Sequence, residues 1–172
     1  MPESGTPLVR VLMPSPIGPL GVEVLGAAIT RVLIDPAEPE LSTFTPLQVI
    51  EESELLDEVF GRLSEYFAGA RRKLDLEVDF SACAGGAFAR RVLREATRIA
   101  YGRTRTYRNV AEAVGRPDCS DEVLAVLLGN PLPILIPCHR VVADDGGLGE
   151  YVGGGRRKRW LLDLESQAEE PL

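Results

Sequence analysis

Apolar and polar positions alternate with different periods along the 172-residue chain, and each change of period marks an element. LGVEVLG (20–26) and ITRVLID (29–35) alternate as strands do, with Gly26-Ala27-Ala28 turning between them, so they predict a hairpin. Residues 36–46, rich in Pro, Glu, Ser and Thr, read as a loop. From Leu47 to Ala68, Ile50, Leu56, Phe60, Leu63 and Phe67 recur at helical spacing among largely acidic residues, which predicts an amphipathic helix. LDLEVDF (74–80) alternates again and reads as a further strand. The first half is therefore a small α/β unit with no visible chemistry. Cys83, in SACAGG, falls in the linker that follows and reads as a spectator thiol.

The second half opens on a helix over 87–100, with Phe88, Val92, Ala96 and Ile99 on one face and Arg90, Arg91, Arg94 and Arg98 elsewhere around it. A short helix (108–114), a Gly-Arg-Pro turn and a second helix from Ser120 then make a helix-turn-helix pattern, with the second helix in the recognition position. Asn130-Pro131, Pro133 and Pro137 hold the next segment extended.

Charge sharpens this division. The net charge of −7 opposes a polyanionic partner for the chain as a whole. Residues 1–85, however, carry 6 Lys/Arg against 14 Asp/Glu, while residues 86–160 carry 13 against 8. An acidic scaffold joined to a basic module that faces nucleic acid fits this reversal of sign. Mean hydropathy near zero describes a globular chain, and no apolar run has the length of a membrane span. No secretory signal is visible, and the three cysteines match no zinc spacing, so a reduced, cytoplasmic protein is expected, with no metal.

Candidate chemistry lies in ILIPCHRVV. His139, the only histidine of the chain, follows Cys138 directly. A cysteine nucleophile acts as thiolate, and a nearby histidine can take its proton directly or through water. Adjacency alone is weak, because neighbours on a strand point to opposite faces. A Cys-His dipeptide by itself is more often part of a packed core.

The surrounding residues carry more. ILIPCHRVV resembles the active-site signature of the O6-alkylguanine-DNA alkyltransferases. RTRTYRNVAEAVGRP resembles that family's tyrosine-bearing first helix, and GNPLPILIPCHRVV its asparagine hinge and nucleophile loop. GGLGEYVGGGRRKRWLLDLE resembles its Gly-rich loop and closing helix, and SPIGPLGVEVLGAAITRVLI its N-terminal hairpin. The likeness runs without gaps from Tyr101 to Glu165 and more loosely from Ser15.

The resemblance implies an α/β N-terminal subdomain, ribonuclease H-like, over residues 1–83. A mostly α, helix-turn-helix alkyltransferase domain would span 84–165, with a disordered tail over 166–172. It implies irreversible transfer of an alkyl group from O6-alkylguanine, with O4-alkylthymine a second candidate, to Cys138. The protein would act once, as a monomer and without a cofactor. His139 would be the base, acting through water, and Glu165 would hold it. Tyr107 would protonate the departing ring. Asn130 would tie the helix-turn-helix to the nucleophile loop. Val141, Tyr151, Val152, Gly153 and Gly154 would line the base pocket, chiefly through backbone groups, and Arg140 would be structural or phosphate-facing. Ser120, Asp121, Glu122 and Arg116 would lie against DNA, in the minor groove, with the target base flipped out.

One stretch departs from the family pattern. The recognition helix there begins with an arginine that fills the hole left by the flipped base, followed by small residues. Here the stretch is Ser120-Asp121-Glu122-Val123-Leu124. It suits a helix start, with Ser120 able to cap and two acids at the positive end of the helix dipole. It does not suit phosphate. An alternative is therefore a relative with an intact thiol site and weak or absent repair of duplex DNA, acting as a lesion-binding, protein-binding or vestigial module. Another arginine, Arg116 or Arg103, is a candidate substitute for the missing one. A third class, a cysteine hydrolase, would need an oxyanion hole that nothing in the sequence singles out.

Overall fold

The computed structural model describes residues 8–46, 54–76, 78, 80 and 83–167. The chain divides into two units, Met1–Asp79 and Phe80–Leu172, so that Cys83 belongs to the second.

In the first unit, β1 (Leu8–Met13), β2 (Leu20–Leu25) and β3 (Ala28–Ile34) form an antiparallel meander, and β4 (Thr45–Pro46) pairs with β1 in parallel. The strand order is β3-β2-β1-β4. Val11, Val22 and Val32 stand in register across the meander and are all buried. Helix α1 (Glu54–Phe67) buries Leu56, Val59, Phe60, Leu63, Tyr66 and Phe67, the spacing read from the sequence; Leu47 and Ile50 lie outside the described residues.

Three expectations from the sequence change here. β1 is a strand that the sequence pattern does not predict, and the loop over 36–46 ends in strand β4. LDLEVDF does not form a strand among its described residues, where Val78 makes a single bridge to Ile29. Asp75 takes a φ of 50°, in the left-handed region, which interrupts an extended run. At the same place the Arg62 guanidinium donates to the Leu74 carbonyl at 2.8 Å and also to the Asp75 carbonyl, drawing both away from a sheet partner.

The second unit is helical. α2 (Gly86–Thr97) packs on α3 (Tyr107–Ala113) and α4 (Ser120–Leu128), and buries Ala89, Val92, Leu93 and Ala96. A 3-10 turn, Cys138–Arg140, packs against both α2 and α5 (Gly155–Ser166). Strand β5 (Arg105–Thr106) pairs in parallel with β6 (Val141–Val142), joining the start of α3 to the segment that follows the 3-10 turn. α5 runs through Ser166, one residue into the expected tail; residues 168–172 lie outside the described residues. Among the described residues no helix is long and apolar enough to cross a membrane.

Candidate functional site

The helix-turn-helix is built from local signals. Thr106 caps α3 by accepting from the Asn109 amide at 3.2 Å, and the Asn109 side chain accepts in return from the Thr106 amide. Asp144, beyond β6, accepts from the Arg108 amide at 3.0 Å and so ties the loop after β6 to the same helix end. At the other end, Gly115 has φ +77°, and its amide and that of Arg116 close on Glu112 and Ala111, which stops the helix. Ser120 is the first helical residue of α4 and makes no cap; Cys119 holds the cap position, with its amide bound to the Arg116 carbonyl. The cap expected of Ser120 is not made, because Ser120 lies one residue inside the helix.

Asn130, just past α4, braces the segment that leads to Cys138. Its Oδ1 accepts from the Leu132 amide at 3.0 Å, and its Nδ2 donates to the Ile136 carbonyl and to Cys138 Sγ, each at 3.1 Å. Between them Ile134 takes φ +75°, a conformation costing a β-branched residue on the order of 1–3 kcal/mol that only a tightly determined loop sustains. The 3-10 turn then breaks the strand-like alternation, so that Cys138 and His139 need not face apart.

His139 Nε2 lies 2.8 Å from Glu165 Oε1. The carboxylate can only accept, so Nε2 carries the proton and Nδ1 is left as the basic nitrogen. Arg140 donates to both Glu165 oxygens, at 2.9–3.2 Å, and to the Ile99 carbonyl at 2.7 Å; the Gly102 amide donates to Glu165 Oε2 at 3.1 Å. The bonds to His139 and Arg140 outweigh burial and hold the Glu165 carboxyl down at about 2. Burial lowers the His139 pKa, so the ring is neutral and able to accept a proton. Burial also pushes the Cys138 thiol up to about 11, against the Asn130 hydrogen bond and the charge of Lys158, so the resting group is a thiol.

Of the two parts expected of Arg140, its burial fits the structural one and not the phosphate-facing one, since its guanidinium is spent on Glu165 and Ile99.

Tyr107 begins α3. Its hydroxyl accepts from the Glu150 amide at 3.0 Å, and burial raises its pKa, so it keeps its proton. Gly149 lies against it with φ +69°, and a β-carbon there would collide with the hydroxyl. Val141, Tyr151 and Gly153 are buried, the Tyr151 ring meeting that of His139 edge-on at 6.2 Å, while Gly154 and Val152 (43% exposed) are open to solvent. Asp121 and Glu122 are exposed at the start of α4, and Ser120 and Leu124 are half-buried. Arg116 lies over the Phe88 ring at 4.7 Å and 3.8 Å from Glu122, in the helix-turn-helix turn.

Sequence reasoning missed Lys158. It is fully buried on α5, and its ammonium donates to the Val141 carbonyl at 2.6 Å and the Glu150 carbonyl at 2.9 Å. The signal was present, since Lys158 shares a helical face with the buried Leu161 and Glu165.

Residues 87–167 match the family described as 6-O-methylguanine DNA methyltransferase, DNA binding domain. The methylated-DNA–protein-cysteine methyltransferase of Mycobacterium bovis is 37% identical over 153 residues, 88% of each chain. The inducible enzyme of that name from Bacillus subtilis is 32% identical over 72% of this chain and 68% of its own. The Mycobacterium tuberculosis O6-methylguanine methyltransferase structure matches with a TM-score of 0.81 and 32% identity, covering 96% of this chain and 97% of that one. The OGT structure from the same organism in complex with DNA matches at 0.78 and 33%, over 92% of each chain. The chain belongs to the methylated-DNA–protein-cysteine methyltransferase family. It is a DNA-repair transferase that moves an alkyl group from DNA to a cysteine of its own, once per molecule.

Proposed function

We propose that Cys138 is the acceptor and that the substrate is guanine alkylated at O6, with O4-alkylthymine a second candidate. The observation that carries this is the sulfur itself, 3.1 Å from an amide donor on Asn130 and beside a histidine oriented by Glu165. His139 Nδ1 takes the thiol proton through water. The sulfur bonds to the alkyl carbon, the bond from that carbon to the base oxygen breaks, and its electron pair stays with the base. Tyr107 supplies the proton that neutralises the departing ring. The thioether product has no good leaving group, so the protein acts once.

Val141 and Tyr151–Gly154 line the pocket for a base flipped from the minor groove. The protein works as a monomer in the cytoplasm, where thiols stay reduced; Cys83, Cys119 and Cys138 are all free. The N-terminal unit is ribonuclease H-like, a reading supported by its β3-β2-β1-β4 order. Its domain boundary falls near residue 80, with the helix-turn-helix domain following.

A second reading, an intact thiol site with weak action on duplex DNA, draws on the exposed Asp121 and Glu122 and on the pairing of Arg116 with Glu122. Intact-mass analysis after incubation with free O6-benzylguanine, a single-stranded lesion and a duplex lesion tests both. The acceptor assignment expects a one-alkyl adduct that Cys138→Ser abolishes. An adduct from the free base and the single strand, without one from the duplex, favours the second reading. A folded protein that forms no adduct with any of the three sinks both.

A further inference from the structure

We propose that Arg116 grips a phosphate of the DNA duplex, and that Glu122 is its resident counter-ion, displaced when the phosphate arrives. This rests on duplex DNA being the partner.

Arg116 stands in the turn between α3 and α4. Its backbone is pinned on both sides: its amide donates to the Ala111 carbonyl at 2.9 Å, and its carbonyl accepts from the Cys119 amide at 3.0 Å. Gly115, at φ +77°, precedes it and Pro117 follows, so the chain has little freedom there. Its guanidinium lies over the half-buried Phe88 ring of α2, 4.7 Å from the centre. A ring beneath one flat face fixes the plane of the group and leaves the N–H edge available to an acceptor. The side chain is 50% exposed, so that edge is within reach from solvent.

Among the described residues one carboxylate answers it. Glu122 Oε1 stands 3.8 Å from Arg116 Nη2, an ion pair but longer than a hydrogen bond. Asp118 and Asp121, exposed and close in sequence, form no ion pair with it among the described residues. Glu122 is itself 55% exposed, and a pair so open to water contributes little and is screened by salt. The cation is held firmly while its anion is held loosely, an arrangement suited to exchange. A phosphate can accept two parallel N–H bonds at full hydrogen-bond distance from a guanidinium, where Glu122 now accepts none. The ring and backbone contacts persist through the exchange, so little of Arg116 has to be ordered at binding. Glu122 thus lowers duplex affinity in two ways, by holding Arg116 and by repelling phosphate. Only the first depends on Arg116.

A double-mutant cycle on duplex binding separates the two. Affinity for an unmodified duplex oligonucleotide, which no transfer consumes, is measured by fluorescence anisotropy over a range of salt. The proteins are the wild type, Arg116→Met, Glu122→Gln and the double variant, with Asp121→Asn in both Arg116 backgrounds as the comparison. Arg116→Met should weaken binding roughly tenfold at low salt and flatten the slope of log affinity against log salt by about 0.9, the share of one phosphate contact. Glu122→Gln should tighten binding by up to about fivefold when Arg116 is present and by less than about 1.5-fold when it is absent. The gain from Asp121→Asn should be the same in either background. An Arg116→Met protein with the wild-type affinity and salt slope overturns the proposal, and so does a Glu122→Gln gain that survives in full without Arg116. Should Arg116→Met not fold, Arg116→Gln replaces it with the same expectations. A wild type that binds no duplex, and in which Glu122→Gln restores none, overturns it as well. Failure of the alkyl-transfer reading shows elsewhere, as the absence of an adduct on Cys138 from free O6-benzylguanine.

Discussion

Cys138 rests as a buried thiol, so its reactivity depends on groups that act only when the proton leaves. His139 and Tyr107 have separable parts in this. In the proposed function, the histidine removes the thiol proton and the tyrosine protonates a leaving base. Iodide leaves without a proton, whereas guanine does not. His139→Ala should therefore slow Cys138 labelling by both iodoacetamide and O6-benzylguanine. Tyr107→Phe should slow only the second, by about 10²-fold or more. Equal slowing of both reagents in Tyr107→Phe would show that the residue shapes the pocket and donates no proton.

Among the elements, α4 departs furthest from what a polyanion would select. Its first turn carries Asp121 and Glu122, both exposed, which suits the helix dipole and repels phosphate. Asp121→Arg gives up about 0.3–1 kcal/mol of helix stability and turns one repulsion into an attraction. Duplex affinity should rise, and the slope of log affinity against log salt should steepen by up to about 0.9 if the arginine reaches one phosphate. Transfer from a duplex should increase while transfer from the free base stays the same; an unchanged duplex-to-free-base ratio would place the obstacle in Glu122 or Leu124. α3 depends on its cap, and Thr106→Ala should cost about 1 kcal/mol in chemical denaturation. Because Tyr107 is the next residue, the same variant should also slow transfer from O6-benzylguanine.

At the largest scale, Glu165 joins the Cys138–Arg140 turn, the 99–102 loop and α5. Its folded pKa lies below the ordinary carboxyl value of 4.5, at about 2. A depressed carboxyl stabilises the fold above its unfolded pKa, and that contribution fades as pH falls from about 4.5 towards 2; here it is on the order of 3 kcal/mol. Denaturant midpoints measured across that window should drop more steeply for the wild type than for Glu165→Gln. At neutral pH, Glu165→Gln leaves the buried Arg140 without its anion and should cost about 3–5 kcal/mol. A loss below about 1 kcal/mol would mean that water reaches Arg140 freely.

The hairpin, the amphipathic α1 and the helix-turn-helix are all legible in the amino-acid sequence, because their periods, turn glycines and caps are local properties. Cys138, His139, Glu165, Tyr107 and Asn130 are named as a candidate site through a resemblance that runs without gaps from Tyr101 to Glu165. What those residues meet is settled only when the chain folds. LDLEVDF alternates as a strand should, yet Arg62 takes its carbonyls. Arg140 reads as structural or phosphate-facing, and Glu165, distant in sequence, draws it inside. Lys158 looks like one more base in GRRKR, and only the fold buries it against two carbonyls. Local pattern sets where a side chain leaves the backbone; its partner, its burial and hence its protonation come from chain brought in from elsewhere.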